Sequence, residues 1–128
     1  MSASRIITIP AMALGLLIAG AAQAHPRLVG TSPSANKGVG ATNRVSLTFN
    51  ERLLAPMSGG DVLMTGNPGV PHHSPTKVAG FRPSLLAGGK TLQLASARPL
   101  SKGNYLFRWH AVAADTHRVA GAFAFQVR

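Results

Sequence analysis

Hydrophobic and polar residues alternate in short runs along most of the chain. In the clearest run, Val45, Leu47 and Phe49 alternate with polar residues. Similar runs or short apolar segments cover residues 28–31, 62–64, 91–95, 105–112 and 123–127. A period of two residues is typical of a strand with one buried face, and no helical period is sustained after residue 24. The pattern therefore predicts several short strands and no long helix.

Turn-forming residues separate these runs. They are Ser32-Pro33, Asn67-Pro68-Gly69, Gly88-Gly89-Lys90 and Lys102-Gly103-Asn104. Residues 67–83 form a long, proline-rich stretch with little patterning, which we interpret as a loop with room for a short edge strand. Short strands separated by such turns favour an all-β fold, either an antiparallel sandwich or a Greek-key barrel.

The run over residues 105–112 also predicts which side chains are buried. Tyr105, Phe107 and Trp109 share one parity, so we expect all three in the core. His110 lies on the opposite parity, and we interpret it as an exposed histidine on a strand.

The first 24 residues have the organisation of a secretory signal peptide. Arg5 precedes an apolar run over residues 6–22, and Ala22-Gln23-Ala24 supplies the small residues found before a cleavage site. A membrane anchor is the alternative, but a spanning helix needs about 20 apolar residues, and this run is shorter and is interrupted by Pro10. We expect cleavage after Ala24. Residues 25–128 would then form one β-domain in the periplasm that is not embedded in a membrane.

The charge balance is strongly basic, with 13 Lys and Arg against 3 Asp and Glu and a net charge of +10. Nucleic-acid binding is one interpretation of such a balance, but the basic residues are spread singly and no aromatic platform accompanies them. We therefore expect no nucleic-acid partner. The charge fits a solvated surface, or docking to an acidic partner or anionic lipid. Because the chain has no cysteine, a bound metal must be held by nitrogen, oxygen or thioether sulfur.

His25 gains chemistry from the predicted cleavage. As the first residue it offers its α-amine and its imidazole Nδ1, which can chelate one metal ion together. Cu(II) favours nitrogen and oxygen donors in tetragonal geometry. Pro26 has no N–H, so the next backbone amide cannot become a ligand and further donors must come from elsewhere. The alternative is a terminal histidine with no function.

Asp115-Thr116-His117 is the candidate for those further donors. It follows the predicted strand over residues 105–112, where a loop could present a carboxylate and an imidazole on the same side. By itself the D-x-H pattern is weak, because it is common by chance. The alternative is that Asp115 caps a turn and His117 is simply exposed.

Longer segments of the sequence resemble one family. Residues 99–117 contain Gly103-Asn104-Tyr105, Trp109 and Asp115-Thr116-His117 in order, and Gly121-Ala122-Phe123-Ala124-Phe125 follows. The predicted mature start is His25-Pro26-Arg27-Leu28-Val29, then Ser32-Pro33, and Leu47-Thr48-Phe49-Asn50-Glu51 forms the next strand. Together these segments resemble the CopC family of copper-resistance proteins over essentially all of residues 25–128.

The resemblance implies a fold, a location and a metal site. The fold is a seven-stranded cupredoxin-like, or Ig-like, Greek-key β-barrel in the periplasm. The site binds one Cu(II) per chain through the amine and ring of His25 together with Asp115 and His117. Glu51 matches an acidic family position near this site. Its role stays open between approaching the metal, orienting a ligand and being a surface acid.

The sequence departs from the family in a loop that holds a second, Cu(I)-preferring site in some members. In those members the loop is rich in methionine. Residues 64–76 of this chain carry Asn67, Val70 and Thr76 where thioethers would stand, and only Met64 remains, beside His72 and His73. Soft Cu(I) prefers sulfur donors, so we expect no high-affinity Cu(I) site.

Three functions compete at this point. The first is a copper carrier or buffer in copper resistance or homeostasis, which exchanges copper with another periplasmic or inner-membrane copper-handling protein and is not an enzyme. The second is a copper-dependent oxidative enzyme with a histidine brace, although such enzymes are typically larger and the added carboxylate argues against an open oxygen-binding position. The third is a β-sandwich interaction module without a metal.

Export and cleavage can be tested directly. Mass spectrometry of the protein recovered from the periplasm should show a mature chain that begins at His25, because Ala22-Gln23-Ala24 fits the cleavage pattern. A mature product that retains Met1 would contradict both the predicted processing and a site that uses the His25 amine.

Overall fold

A computed structural model describes residues 26–128, and these residues form two packed β-sheets. The strands are β1 Leu28–Ser32, β2 Gly38–Val39, β3 Arg44–Phe49, β4 Gly59–Gly66, β5 Thr76–Lys77, β6 Arg82–Leu86, β7 Thr91–Ala95, β8 Gly103–Val112 and β9 Arg118–Val127. Two short 3₁₀ turns, Ala55–Met57 and Ala87–Gly89, provide the helical residues of the described region. No helix in that region is long and apolar enough to cross a membrane.

The strands are divided between a four-stranded and a five-stranded sheet. The four-stranded sheet has the order β1-β3-β7-β6, and the five-stranded sheet has the order β2-β9-β8-β4-β5. All neighbours pair antiparallel except β2 and β9, which are parallel. The predicted all-β sandwich is therefore confirmed. Seven of the strands have five residues or more, and β2 and β5 have two residues each.

The stretch from Asn67 to Pro83, which the sequence predicted as a loop, contains the short strand β5 and the start of strand β6. The short strand β5 lies at an edge of the five-stranded sheet, as the loop interpretation allowed. Strand β6, in contrast, starts at Arg82 within this stretch and was missed, because its sequence does not alternate. Pro83 is tolerated there because β6 is the edge strand of its sheet and proline removes a hydrogen-bond donor.

The core lies between the sheets and follows the predicted parity. Tyr105, Phe107 and Trp109 of β8 are 1%, 0% and 9% exposed. Phe49 of β3 packs edge-on against Trp109, with ring centroids 5.3 Å apart. Phe107 packs in the same manner against Phe123 of β9, at 5.6 Å. His110 is partly exposed on the opposite face, as its parity predicted.

Trp109 fits into the sheet because the residue paired with it on β9 is a glycine. It pairs with Gly60 on β4 and with Gly121 on β9. A Cβ atom built on Gly121 would lie 2.7 Å from the indole ring, which is closer than real Cβ contacts. The requirement for glycine at position 121 therefore comes from packing against Trp109. The backbone conformation of the strand would accept a side chain there.

We expect Gly121→Ala to destabilise the fold by about 1–3 kcal/mol, the usual cost of overpacking. Gly30→Ala is the matched control, because a Cβ atom at Gly30 meets nothing within 4 Å. Urea denaturation followed by fluorescence measures both, and Trp109 is the single tryptophan of the chain. Equal midpoints for Gly121→Ala and the unmodified protein would show that the indole moves without cost.

Candidate metal centre

The turn between β8 and β9 carries the D-x-H residues. The last pair of the two strands is Val112 opposite Arg118, and residues 113–117 connect them. The Thr116 amide donates a hydrogen bond to the Ala113 carbonyl, at 2.9 Å. Thr116 has a φ of 67°, which is uncommon for a β-branched residue. The chain therefore reverses sharply, and Asp115 and His117 lie on either side of that reversal.

Asp115 and His117 are in direct contact. The Oδ1 atom of Asp115 accepts the backbone N–H of His117 at 3.1 Å, and its Oδ2 atom lies 2.9 Å from the Nδ1 atom of the His117 ring. The carboxylate therefore holds both the backbone and the ring of the same residue. The Asp115 side chain is 21% exposed, whereas that of His117 is 65% exposed.

The contact between carboxylate and ring determines which nitrogen of the imidazole can bind another partner. A carboxylate only accepts hydrogen bonds, so the His117 Nδ1 atom is the donor in this pair. The neutral ring then has its lone pair on Nε2. A carboxylate that orients a histidine in this manner is a common feature of metal sites.

Residues 53–58, which follow β3 in the chain, lie at the same end of the sandwich as this turn. Leu53 forms an isolated antiparallel bridge with Ala113, and the Leu54 amide donates to the Val112 carbonyl at 2.8 Å. The buried Ser58 hydroxyl accepts the Val112 N–H at 3.0 Å. Residues 53–58 therefore hold the end of β8 from which the 113–117 turn begins.

The start of the described chain is fixed to the residue that directly follows β3. The Arg27 N–H donates to the Oδ1 atom of Asn50 at 2.7 Å, and the Asn50 N–H donates to the Arg27 carbonyl at 3.0 Å. Pro26 is buried. Because Asn50 lies three residues before Leu53, the chain start and the 113–117 turn belong to the same end of the sandwich.

Comparison with known proteins identifies the family of this chain. A family model described as the CopC domain matches residues 28–128. The chain belongs to the CopC family.

Several CopC-family relatives resemble the chain over nearly its whole length. It is 37% identical to copper resistance protein C of Pseudomonas syringae pv. tomato over 118 residues, which is 91% of this chain and 90% of that protein. It is 39% identical to copper resistance protein C of Xanthomonas campestris pv. juglandis over 123 residues, which is 96% of this chain and 95% of that protein.

Solved structures agree in fold. The crystal structure of PcoC, a methionine-rich copper resistance protein from Escherichia coli, has a TM-score of 0.74 at 35% identity and covers 82% of this chain and 100% of its own. CopC from Methylosinus trichosporium OB3b has a TM-score of 0.64 at 26% identity, with 80% and 93% covered. The recognition of the family from the sequence is therefore confirmed.

The structure brings two of the four predicted site residues together. Asp115 and His117 form the contact described above. His25 lies outside the described residues. Glu51 is half-buried beside Asn50, and within residues 26–128 no three histidine, aspartate or glutamate side chains are grouped closely enough to hold a metal ion. Glu51 therefore does not complete such a group with Asp115 and His117, and its role stays open.

Asn50 is the residue that sequence reasoning missed at this end of the fold. In the sequence it stands out only within the segment Leu47-Thr48-Phe49-Asn50-Glu51 that resembles the family, although its side chain and backbone both hold Arg27. Its signal was weak, because an asparagine at the end of a strand is usually read as a turn residue.

Proposed function

We propose that the mature protein binds one Cu(II) ion with His25, Asp115 and His117, and that it carries or buffers copper in the periplasm. The observation that carries this proposal is the Asp115–His117 contact, at the end of the sandwich where Asn50 holds Arg27. His25 is two residues from Arg27, so covalent geometry limits their Cα atoms to about 7.6 Å apart. The proposed ligands come from distant parts of the sequence, and the two described ones, Asp115 and His117, lie at the end of the sandwich where Arg27 is held.

The donor set fits Cu(II) in its chemistry. Two imidazoles and an α-amine supply nitrogen, the carboxylate supplies oxygen, and such mixed donors suit Cu(II) in tetragonal geometry. Thiolate ligation is excluded because the chain has no cysteine. The family relatives are named as copper resistance proteins, which supports copper over other metals that use the same donors.

Asp115 and His117 would have different roles in this site. The Nε2 atom of His117 would bind the copper ion, because Nδ1 faces the carboxylate of Asp115. In the present contact Asp115 orients that ring through Nδ1. Because Nδ1 and Nε2 point away from each other, Asp115 would have to release Nδ1 to ligate the same copper ion through its carboxylate. We assign a binding role rather than a catalytic one, because a site built this way fills its coordination sphere with protein donors.

Variants of the turn test the site. His117→Ala should weaken Cu(II) binding most, because it removes a donor. Asp115→Ala should weaken it by about 10–100-fold, as is usual when the group that orients a metal ligand is lost. Asp115→Asn should weaken it less, because its amide oxygen still accepts from the ring. Competition titrations of Cu(II) measure the affinities, and X-band spectra count the bound nitrogens.

His72→Ala is the control for loss of an exposed histidine and should leave the Cu(II) affinity unchanged. A mature chain extended by one alanine before His25 should also bind Cu(II) more weakly, because the amine moves out of the chelate. Unchanged Cu(II) affinity in His117→Ala would exclude the proposed ligand set.

The loop with the candidate Cu(I) ligands offers few soft donors. Within residues 26–128 the methionines are Met57 and Met64, whereas the similar PcoC is described as methionine rich. Met64 is partly buried and packs against the core. His73 donates its backbone N–H to the Thr65 carbonyl, and its Nδ1 atom lies 2.7 Å from the Ser74 carbonyl. Only the His72 ring is exposed in this group.

We expect the mature protein to bind Cu(II) tightly and to have no Cu(I) site of comparable affinity, because Cu(I) prefers sulfur donors. Titration of the reduced, copper-free protein with Cu(I) against a chelator measures this. Stoichiometric Cu(I) capture that is lost in Met64→Ala, or in the His72/His73 double alanine variant, would contradict the expectation and assign a second site to the loop.

A further inference from the structure

The outer face of the five-stranded sheet carries a shallow groove next to the 113–117 turn. It has a volume of about 570 Å³ and runs over β4, β8 and β9. Its floor is formed largely by residues without bulky outward side chains, among them Gly60, Ala120, Gly121 and Ala122. Ala120 and Ala122 are both exposed. The backbone of the sheet is therefore accessible along this part of β9.

Basic side chains stand around this floor. Arg108 lies on β8 between Asp61 of β4 and Ala122 of β9, and His110 lies on β8 opposite Ala120. Arg118 begins β9 and closes the end of the groove that is next to the turn. Both arginines are exposed.

The two arginines have no acidic partner within the described part of the chain. The ion pairs there join Lys77 to Asp61, at 3.0 Å, and His117 to Asp115. The carboxylate of Asp61 thus faces Lys77, although its strand position is directly opposite Arg108. With 3 acidic residues against 13 basic ones, acidic side chains that could pair with these arginines are scarce in the chain itself.

We propose that this groove, lined by Arg108, His110 and Arg118, docks an extended acidic segment of the protein that exchanges copper with this one. Charge complementarity identifies the occupant. Guanidinium groups pair bidentately with carboxylates, and the bare floor lets an extended backbone lie close to the sheet. Since Arg118 directly follows His117, a segment bound here would lie beside the copper ligands of the turn.

That the bound partner exchanges copper rests on the proposed function, whereas the binding of an acidic segment to the groove does not. Binding of an acidic segment is measured on copper-free protein, so failure of the copper ligand set would leave that result unchanged. Conversely, a groove that binds nothing would leave the Cu(II) titrations of the turn variants unchanged.

The experiment titrates ¹⁵N-labelled, copper-free mature protein with a hexaglutamate peptide at low salt. The chemical shifts of the backbone amides should change chiefly at residues 108–110 and 118–122. The double variant Arg108→Ser/Arg118→Ser should bind the peptide at least about tenfold more weakly, since it removes two charged groups that donate paired hydrogen bonds to carboxylates. Arg82→Ser/Lys102→Ser is the matched control, because it removes the same charge outside the groove and should change the affinity about twofold or less.

A steric variant separates the groove from its charge. Ala122→Trp fills the floor without changing the net charge, and it should also abolish the localised shifts. Tryptophan at this exposed position does not enter the core, and the backbone amide spectrum reports whether the fold is kept.

Three outcomes would overturn the proposal. Equal loss of affinity in the two double variants would show general attraction to a basic protein. Shifts that cluster away from residues 108–122 would place the acidic segment elsewhere. Binding to phosphatidylglycerol vesicles that needs Arg108 and Arg118, while hexaglutamate binding does not, would assign the arginines to a membrane surface.

Discussion

Ten consecutive residue pairs join β8 to β9, from Gly103 opposite Val127 to Val112 opposite Arg118. This pairing supplies the aromatic side of the core, because Tyr105, Phe107 and Phe123 lie on its inner face. It also determines where the D-x-H residues lie. A long hairpin with a fixed register has only one position for its turn, so a shift of register by one residue would move Asp115 and His117 and would turn the core side chains outward.

The copper site that we propose also needs parts of the chain far from this hairpin. Residues 27 and 50 are joined by two hydrogen bonds, and residues 53 and 113 by a β-bridge. Each contact closes a long loop of chain, whose entropy cost grows only slowly with its length. The core contacts of β3, β7 and β8 hold the same elements together, so the site uses an arrangement that the packing already fixes. Gly121 belongs to this arrangement, because it makes room for Trp109 and hence for its contact with Phe49.

Alternation predicted the strands that have one buried face and one exposed face. It identified the regions of β3, β7, β8 and β9, and the parity of Tyr105 and Trp109, because burial on one side leaves a period of two in the sequence. It missed β6, since that edge strand is exposed at most of its positions and its sequence therefore carries no period.

The candidate site was predictable to a different extent. Asp115 and His117 could be paired in advance because they are close in the sequence and match a family motif. The role of Asn50 could not, because its contact with Arg27 spans 23 positions and leaves no local pattern. Residues that hold a site through the backbone are difficult to recognise in general, since their chemistry resembles that of an ordinary turn.

Strand β9 shows how one sequence period can serve two surfaces. Its inward residues Phe123 and Phe125 are buried, while the outward Ala120 and Ala122 leave the sheet bare.

A carrier must hold its ion and also release it, and these needs conflict if every ligand is buried. In the copper site that we propose, these needs would be divided between two residues of the 113–117 turn, since Asp115 is largely enclosed and tied to the backbone whereas the His117 ring is mostly exposed. A partner lying beside Arg118 would therefore meet the more accessible of the two first. Exchange could begin at the imidazole while the carboxylate keeps the turn in place.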